Sequence, residues 1–158
     1  MANNPDDTEV RSRMKELKTE IVIDASAETI WKVLNDFASF PDWNPFMIRI
    51  SGQMSEGEKL EVRLQLPGGR AMTFKPQLIK VEPNREFRWL GRLLLPGIAD
   101  GQHIIELKPM GDTQTRVIHR EEFRGVLTSL FLAMVGKKTK LGFQQMNEAL
   151  KARAESLA

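Results

Sequence analysis

GVLTSLFLAMVGKKTKLGFQQMNEALKARAE, residues 125–155, is the stretch whose reading decides the fold. Leu127, Leu130/Phe131, Met134, Leu141, Met146 and Leu150 recur at three- and four-residue steps, the spacing of one long helix. Some thirty residues at about 1.5 Å each make a rod of about 45 Å, enough to span a domain. Nothing else in the chain is long enough to do so. Gly136 and Gly142 interrupt the helix, each costing about 1 kcal/mol relative to Ala. Its first half is apolar on nearly every face. That composition suits a buried core helix, or one that turns part of its apolar surface toward a cavity or a membrane.

Upstream the period falls to two. Leu60, Val62, Leu64 and Leu66 alternate with Glu61, Arg63 and Gln65, so one face of that strand is buried. Pro67-Gly68-Gly69 turns the chain into 70–81, where Met72 and Phe74 share a face and Pro76 marks a bulge or an edge. Further strands are expected at 17–24, 47–51, 86–90, 101–107 and 115–123, seven in all. Ser26 is placed to cap a short helix carrying Ala27, Ile30/Trp31 and Leu34, which stops near Asn35-Asp36. In the following FASFPDWNP, Pro41 and Pro45 argue against regular helix, while Phe40, Trp43 and Phe46 tie the loop to the core. Short links between consecutive strands imply an antiparallel meander. The long helix is the one large cover for it, so the expected class is α+β. Residues 1–16 read as a tail and 17–158 as a single domain.

Composition narrows the function classes. The chain has 158 residues, no cysteine and a net charge of +2. Disulfides, thiol catalysis and cysteine metal sites are excluded, and the charge is too small to argue for nucleic acid despite a pI near 9.0. The polar start and the absence of a bilayer-length apolar run point to a soluble, cytoplasmic protein.

IDASAETIWKVLNDFASFPDWNP, with the hairpin GQHIIEL and TRVIHREEFRG, resembles the helix-grip superfamily. That superfamily includes birch-pollen-allergen-like proteins, START lipid-transfer domains, and polyketide cyclases and aromatases, and is often called SRPBCC. The likeness runs from about residue 17 to 150. It implies a curved antiparallel sheet wrapped around the C-terminal helix, with an internal cavity for a lipid-, sterol- or polyketide-like molecule.

One polar constellation is expected on an inner face. His103 shares its face with Ile105 and Leu107, and His119 and Glu121 share theirs with Val117 and Phe123. Two registers are open: His103 opposite Glu121, or His103 opposite His119. The cluster reads as a self-satisfied network, a polar anchor for a ligand, or an acid–base pair. No metal is expected, because neighbouring strands rarely complete a coordination sphere. The expected ligand-binding set is His103, His119, Glu121, Trp89, Phe74, Met72, Ile105, Met134 and Phe131. Leu94, Leu95, Ile98 and Leu127 are expected at the cavity mouth, since so apolar a loop needs a cover. No G-x-S-x-G, H-E-x-x-H or phosphate cradle occurs, so no enzyme and no cofactor is implied. The leading expectation is carriage of a small hydrophobic ligand by a monomer or homodimer. Transient membrane contact would come through Lys137, Lys138 and Lys140. A cyclase-, dehydratase- or hydrolase-like enzyme and a protein-interaction domain are the alternatives.

Overall fold

The computed structural model describes residues 14–93 and 99–158. Most of the expected tail, and Leu94, Leu95 and Ile98 of the expected mouth, lie outside the described residues. The elements are β1 (Lys15–Ile23), α1 (Ala27–Asn35), α2 (Phe40–Trp43), β2 (Met47–Ser51), β3 (Glu61–Gln65), β4 (Ala71–Phe74), β5 (Gln77–Glu82), β6 (Glu86–Leu93), β7 (Ala99–Pro109), β8 (Thr115–Arg124) and α3 (Thr128–Leu157). The α+β helix-grip architecture is as the sequence implies. Among the described residues the strands number eight rather than seven.

The extra strand comes from Pro76. Without an N–H to give, it ends the ladder begun by β4, and the chain resumes pairing as β5 in a different sheet. One sheet has the order β1-β8-β7-β6-β5 and the other β2-β3-β4. They stay joined where the Pro76 carbonyl accepts from Leu60 N at 2.9 Å and Lys59 bridges Gln77. β1 begins at Lys15, opposite Phe123, two residues earlier than the periodicity suggests.

α1 follows its sequence signals. Ser26 Oγ accepts from Thr29 N at 3.1 Å, and Ile30, Trp31 and Leu34 are buried. The Pro41 segment departs from expectation, because a short 3-10 turn and α2 form there. Pro41 occupies the first turn of α2, where a missing N–H breaks no bond. Buried Asn44 then accepts from Phe46 N and Met47 N at 3.0 and 2.9 Å, leading the chain into β2.

α3 runs 30 residues and is turned differently from its apolar stripe. Its buried face is Gly136, Thr139, Gly142, Phe143, Met146, Asn147, Leu150 and Ala154. Leu127, Leu130, Met134 and Leu141, all counted into the expected core stripe, are exposed. The reason is steric. A Cβ on Gly142 would lie 2.4 Å from the Phe46 ring, so only a glycine lets helix and loop meet at that distance. The small residues choose which face goes in.

Gly142→Ala should therefore destabilise the protein by about 1–3 kcal/mol through overpacking. Gly136→Ala should leave it unchanged or stabilise it by up to about 1 kcal/mol, since its Cβ meets only Leu132 at an ordinary 3.6 Å. Urea unfolding of both variants tests this, and equal midpoints would refute the close-approach account.

Candidate functional site

Antiparallel pairing lays the inward side chains in rows across the large sheet. Leu78, Trp89, His103 and Glu121 form one row, and Phe87, Ile105, His119 and Thr19 the next. His103 therefore stands opposite Glu121, and Ile105 opposite His119, the first of the two registers the sequence allows. A third row holds Gly91 opposite Gly101. Two facing glycines leave β6 and β7 without side chains at that level, beside Phe123 on β8, and a cavity of about 210 Å³ opens there. Gly101 has a second role, because a Cβ there would lie 2.5 Å from Glu121 Oε1.

The cavity wall is mostly apolar. Trp89, Phe74 and Met72 line it from the sheets, with Leu64 and Leu66 beside them, and Phe131, Val135 and Phe143 close it from α3. Its polar lining residues are His103 and Glu121 on the large sheet, Arg92 on β6 and Thr139 on α3. The structure thus brings together six residues of the expected set: His103, Glu121, Trp89, Phe74, Met72 and Phe131. The other three lie elsewhere. Ile105 is buried in the core one row deeper. Met134 is 72% exposed, because α3 presents Val135 and Gly136 inward instead. His119 is fully buried behind His103, stacked on Phe143 with centroids 4.0 Å apart. Leu127, expected at the mouth, is the half-exposed residue before α3 and does not line the cavity.

His119 belongs to a chain of hydrogen bonds leading inward from the cavity. His103 stacks on Trp89 at 4.7 Å and reaches His119 through its Nε2, 3.2 Å from His119 Nε2. His119 Nδ1 lies 2.9 Å from Asn147 Oδ1. Asn147 Nδ2 donates to Thr19 Oγ1 at 2.9 Å, and that hydroxyl donates to the His119 carbonyl at 3.1 Å. On the cavity side, His103 Nδ1 lies 4.0 Å from Glu121 Oε2, beyond hydrogen-bond distance. The two Nε2 atoms are turned on each other, so a metal shared between them would have to displace their hydrogen bond. No group of three or more His, Asp or Glu side chains able to hold a metal occurs among the described residues.

Burial sets the protonation states. It lowers His103 to about 3, and drives His119 well below its ordinary 6.5 with help from the neighbouring His103. The same desolvation raises Glu121 to about 7, although a fifth of its side chain is reachable through the cavity. Near neutrality the site holds two uncharged imidazoles beside a carboxyl poised between its two forms.

Sequence reasoning missed Asn147 and Thr19, though both left a signal. Thr19 alternates with Leu17 and Ile21 on the inward face of β1, and Asn147 sits among Met146 and Leu150 on the buried side of α3. A polar residue inside an apolar period is the mark of a buried hydrogen bond.

The sequence profile of the family described as polyketide cyclase / dehydrase and lipid transport matches residues 14–155, and the chain belongs to that family. No curated protein matches it by sequence. Among solved structures it is similar to the Zhui aromatase/cyclase from Streptomyces sp. R1128, at TM-score 0.73 and 15% identity, covering 90% of this chain and 94% of that one. A START superfamily protein from Mycobacterium smegmatis matches at TM-score 0.68 and 17% identity, covering 90% and 99%. Norcoclaurine synthase from Thalictrum flavum matches at 0.67 and 20%, covering 89% and 94%. At these identities the likeness is one of fold.

The cluster makes stability depend on pH with a definite sign. Below about 6.5 the unfolded chain protonates both histidines while the folded chain does not, so stability falls toward pH 3. Glu121 acts oppositely: its contribution is full below 4.5 and is lost as pH rises through about 7. Between pH 6.5 and 4.5 two histidines outweigh one carboxyl, and acid destabilises. His119→Gln should flatten that slope and Glu121→Gln should steepen it, each by up to about 1.4 kcal/mol per pH unit. Urea midpoints at pH 7, 6 and 5 decide it, and parallel slopes for all three proteins would show that the cluster does not titrate on unfolding.

Proposed function

We propose that this member of the family binds and carries a small amphipathic molecule, seated on the Trp89–Phe74 wall with its polar group toward His103 and Glu121. The observation that carries this reading is the cavity itself, lined mostly by apolar side chains, with His103 and Glu121 side by side on its large-sheet wall. Apolar surface supplies affinity, and desolvated polar atoms at fixed places supply orientation. A volume of about 210 Å³ falls below the ~300–1,000 Å³ of drug-sized sites, which favours a one- or two-ring molecule over a sterol. Enzymatic relatives of the same fold make a cyclase- or dehydratase-like activity the second reading, with Glu121 as the group that would exchange a proton.

Gly91 offers a direct test. It lines the cavity, and a Cβ there meets Phe74 at an unstrained 3.6 Å, so Gly91→Leu fills the space while sparing the wall. The wild type should bind the two-ring fluorescent probe 1-naphthylamine, and the variant should bind it at least about tenfold more weakly, the loss of one to two buried side chains' worth of contact. Equal binding by both proteins would place the probe elsewhere and defeat the reading.

We also propose transient contact with anionic bilayers through the start of α3. Val126 in the turn before α3, and Leu130 and Met134 in its first two turns, are 80%, 58% and 72% exposed, too much apolar surface at one helix start to be incidental. Lys137 and Lys138 follow Met134 at three and four residues, on the same side and exposed. Each lysine near an anionic surface contributes about 1 kcal/mol. No helix among the described residues is long and apolar enough to cross a membrane, so the contact is interfacial. Vesicles containing phosphatidylserine should sediment the protein at low salt and phosphatidylcholine vesicles should not, with the preference lost in a Lys137→Glu/Lys138→Glu variant. No preference, together with a dimer in solution, would assign the stripe to self-association instead.

A further inference from the structure

The hydrogen-bond chain behind the cavity has a direction, and the direction says what the ligand must offer. It is fixed at its inner end by a group with no choice. The His119 carbonyl can only accept, so the Thr19 hydroxyl, 3.1 Å away, must donate its one proton to it. Thr19 Oγ1 is then an acceptor toward Asn147, which must turn its NH₂ to it at 2.9 Å and its carbonyl oxygen to His119. That oxygen also only accepts, so His119 carries its proton on Nδ1. Being neutral, His119 has a bare Nε2, and the 3.2 Å contact requires His103 to supply the proton from its own Nε2. A neutral His103 is left with a lone pair on Nδ1. This nitrogen is the one on the cavity side, beside Glu121.

We infer that the cavity selects a ligand bearing a hydroxyl, phenolic or alcoholic, which donates its proton to His103 Nδ1 and lies between that nitrogen and Glu121 Oε2. The inference rests on the binding reading above and names the head of the ligand. The 4.0 Å separation suits it, since one oxygen at about 2.8 Å from both atoms subtends an angle of about 90°. A protonated Glu121 completes the match by donating to the hydroxyl oxygen, so that every polar atom is used. The raised affinity of Glu121 for its proton favours that form. An ether or ketone oxygen brings a lone pair against a lone pair at His103 and satisfies only Glu121. A carboxylate head has no proton for His103 Nδ1 either, accepts only from Glu121, and adds the cost of burying a charge.

Thr19 and Asn147 are positioning residues in this scheme, and the ring protons report on them directly. In protein labelled with ¹⁵N at histidine, His103 should show a protonated Nε2 and a bare Nδ1, and His119 the reverse. A proton on His103 Nδ1 would overturn the inference whatever the binding data. Binding is then compared for 2-naphthol, 2-methoxynaphthalene and naphthalene. The wild type should prefer the naphthol to its methyl ether by about tenfold, the usual effect of one buried acceptor left unpaired. His103→Phe, which keeps a ring stacked on Trp89, should reduce that preference to less than about twofold. Thr19→Val should release Asn147 to turn over and give a mixture of histidine tautomers with an intermediate preference. Equal affinity of the wild type for all three probes would refute the hydroxyl assignment and leave the cavity reading standing. Failure of all three to bind would remove both.

Discussion

The Asn147 amide holds the long helix to the sheet. It bridges Thr19 on β1 and His119 on β8, the two strands beneath the helix, with bonds of 2.9 Å on either side. Apolar packing could hold α3 against the sheet at many neighbouring positions, because hydrophobic attraction has no direction. The amide has one position. A slip of one residue along the helix would carry Asn147 about 100° around its axis and break its bonds to the buried His119 ring and Thr19 hydroxyl. Each such loss costs about 1–3 kcal/mol. The network thus contributes more to uniqueness of register than to net stability.

Close packing and open space are both set by glycine. Gly142 brings the helix onto Phe46, whose ring meets Phe143 edge-on at 5.6 Å, and Phe143 in turn lies flat on His119. From there a continuous set of rings runs through His103 to Trp89 and Phe87. Gly91 and Gly101, one row away, remove the side chains that would extend this stack, and the cavity occupies their place. The boundary between solid core and binding space is therefore drawn within a single sheet by two residues without side chains.

Much of the fold was legible because it depends on signals of short range. Period-two alternation located the strands, Ser26 marked the start of α1, and the turn at Pro67-Gly68-Gly69 joined β3 to β4. The inward placement of His103, His119 and Glu121 followed from the same alternation, but not the hairpin's register, which is a property of two strands together. The buried helix face is not the one richest in apolar residues. Leu130 and Met134 are large and apolar, yet the sheet accepts Gly136 and Thr139, since shape rather than hydrophobicity limits approach at that level. The β4–β5 break was half visible: Pro76 announced a disturbance, and only the packing of two sheets shows that the strand ends there.

The chemistry open to the cavity follows from the same constraints. Burial holds His103 near 3, so at neutral pH it accepts a hydrogen bond but is too weak a base to take a proton and keep it. Thr139 lines the wall, but its hydroxyl is committed to the Val135 carbonyl at 3.0 Å and offers no activated nucleophile. Arg92 supplies charge without exchanging protons. Glu121 remains, at about 7, as the cavity group among the described residues suited to give or take a proton under neutral conditions. A proton shuttle of that kind suits a proton transfer to or from a bound molecule. In the binding reading proposed above, the apolar wall and the His103 lone pair hold the molecule in one orientation, and Glu121 is the group beside it able to exchange a proton.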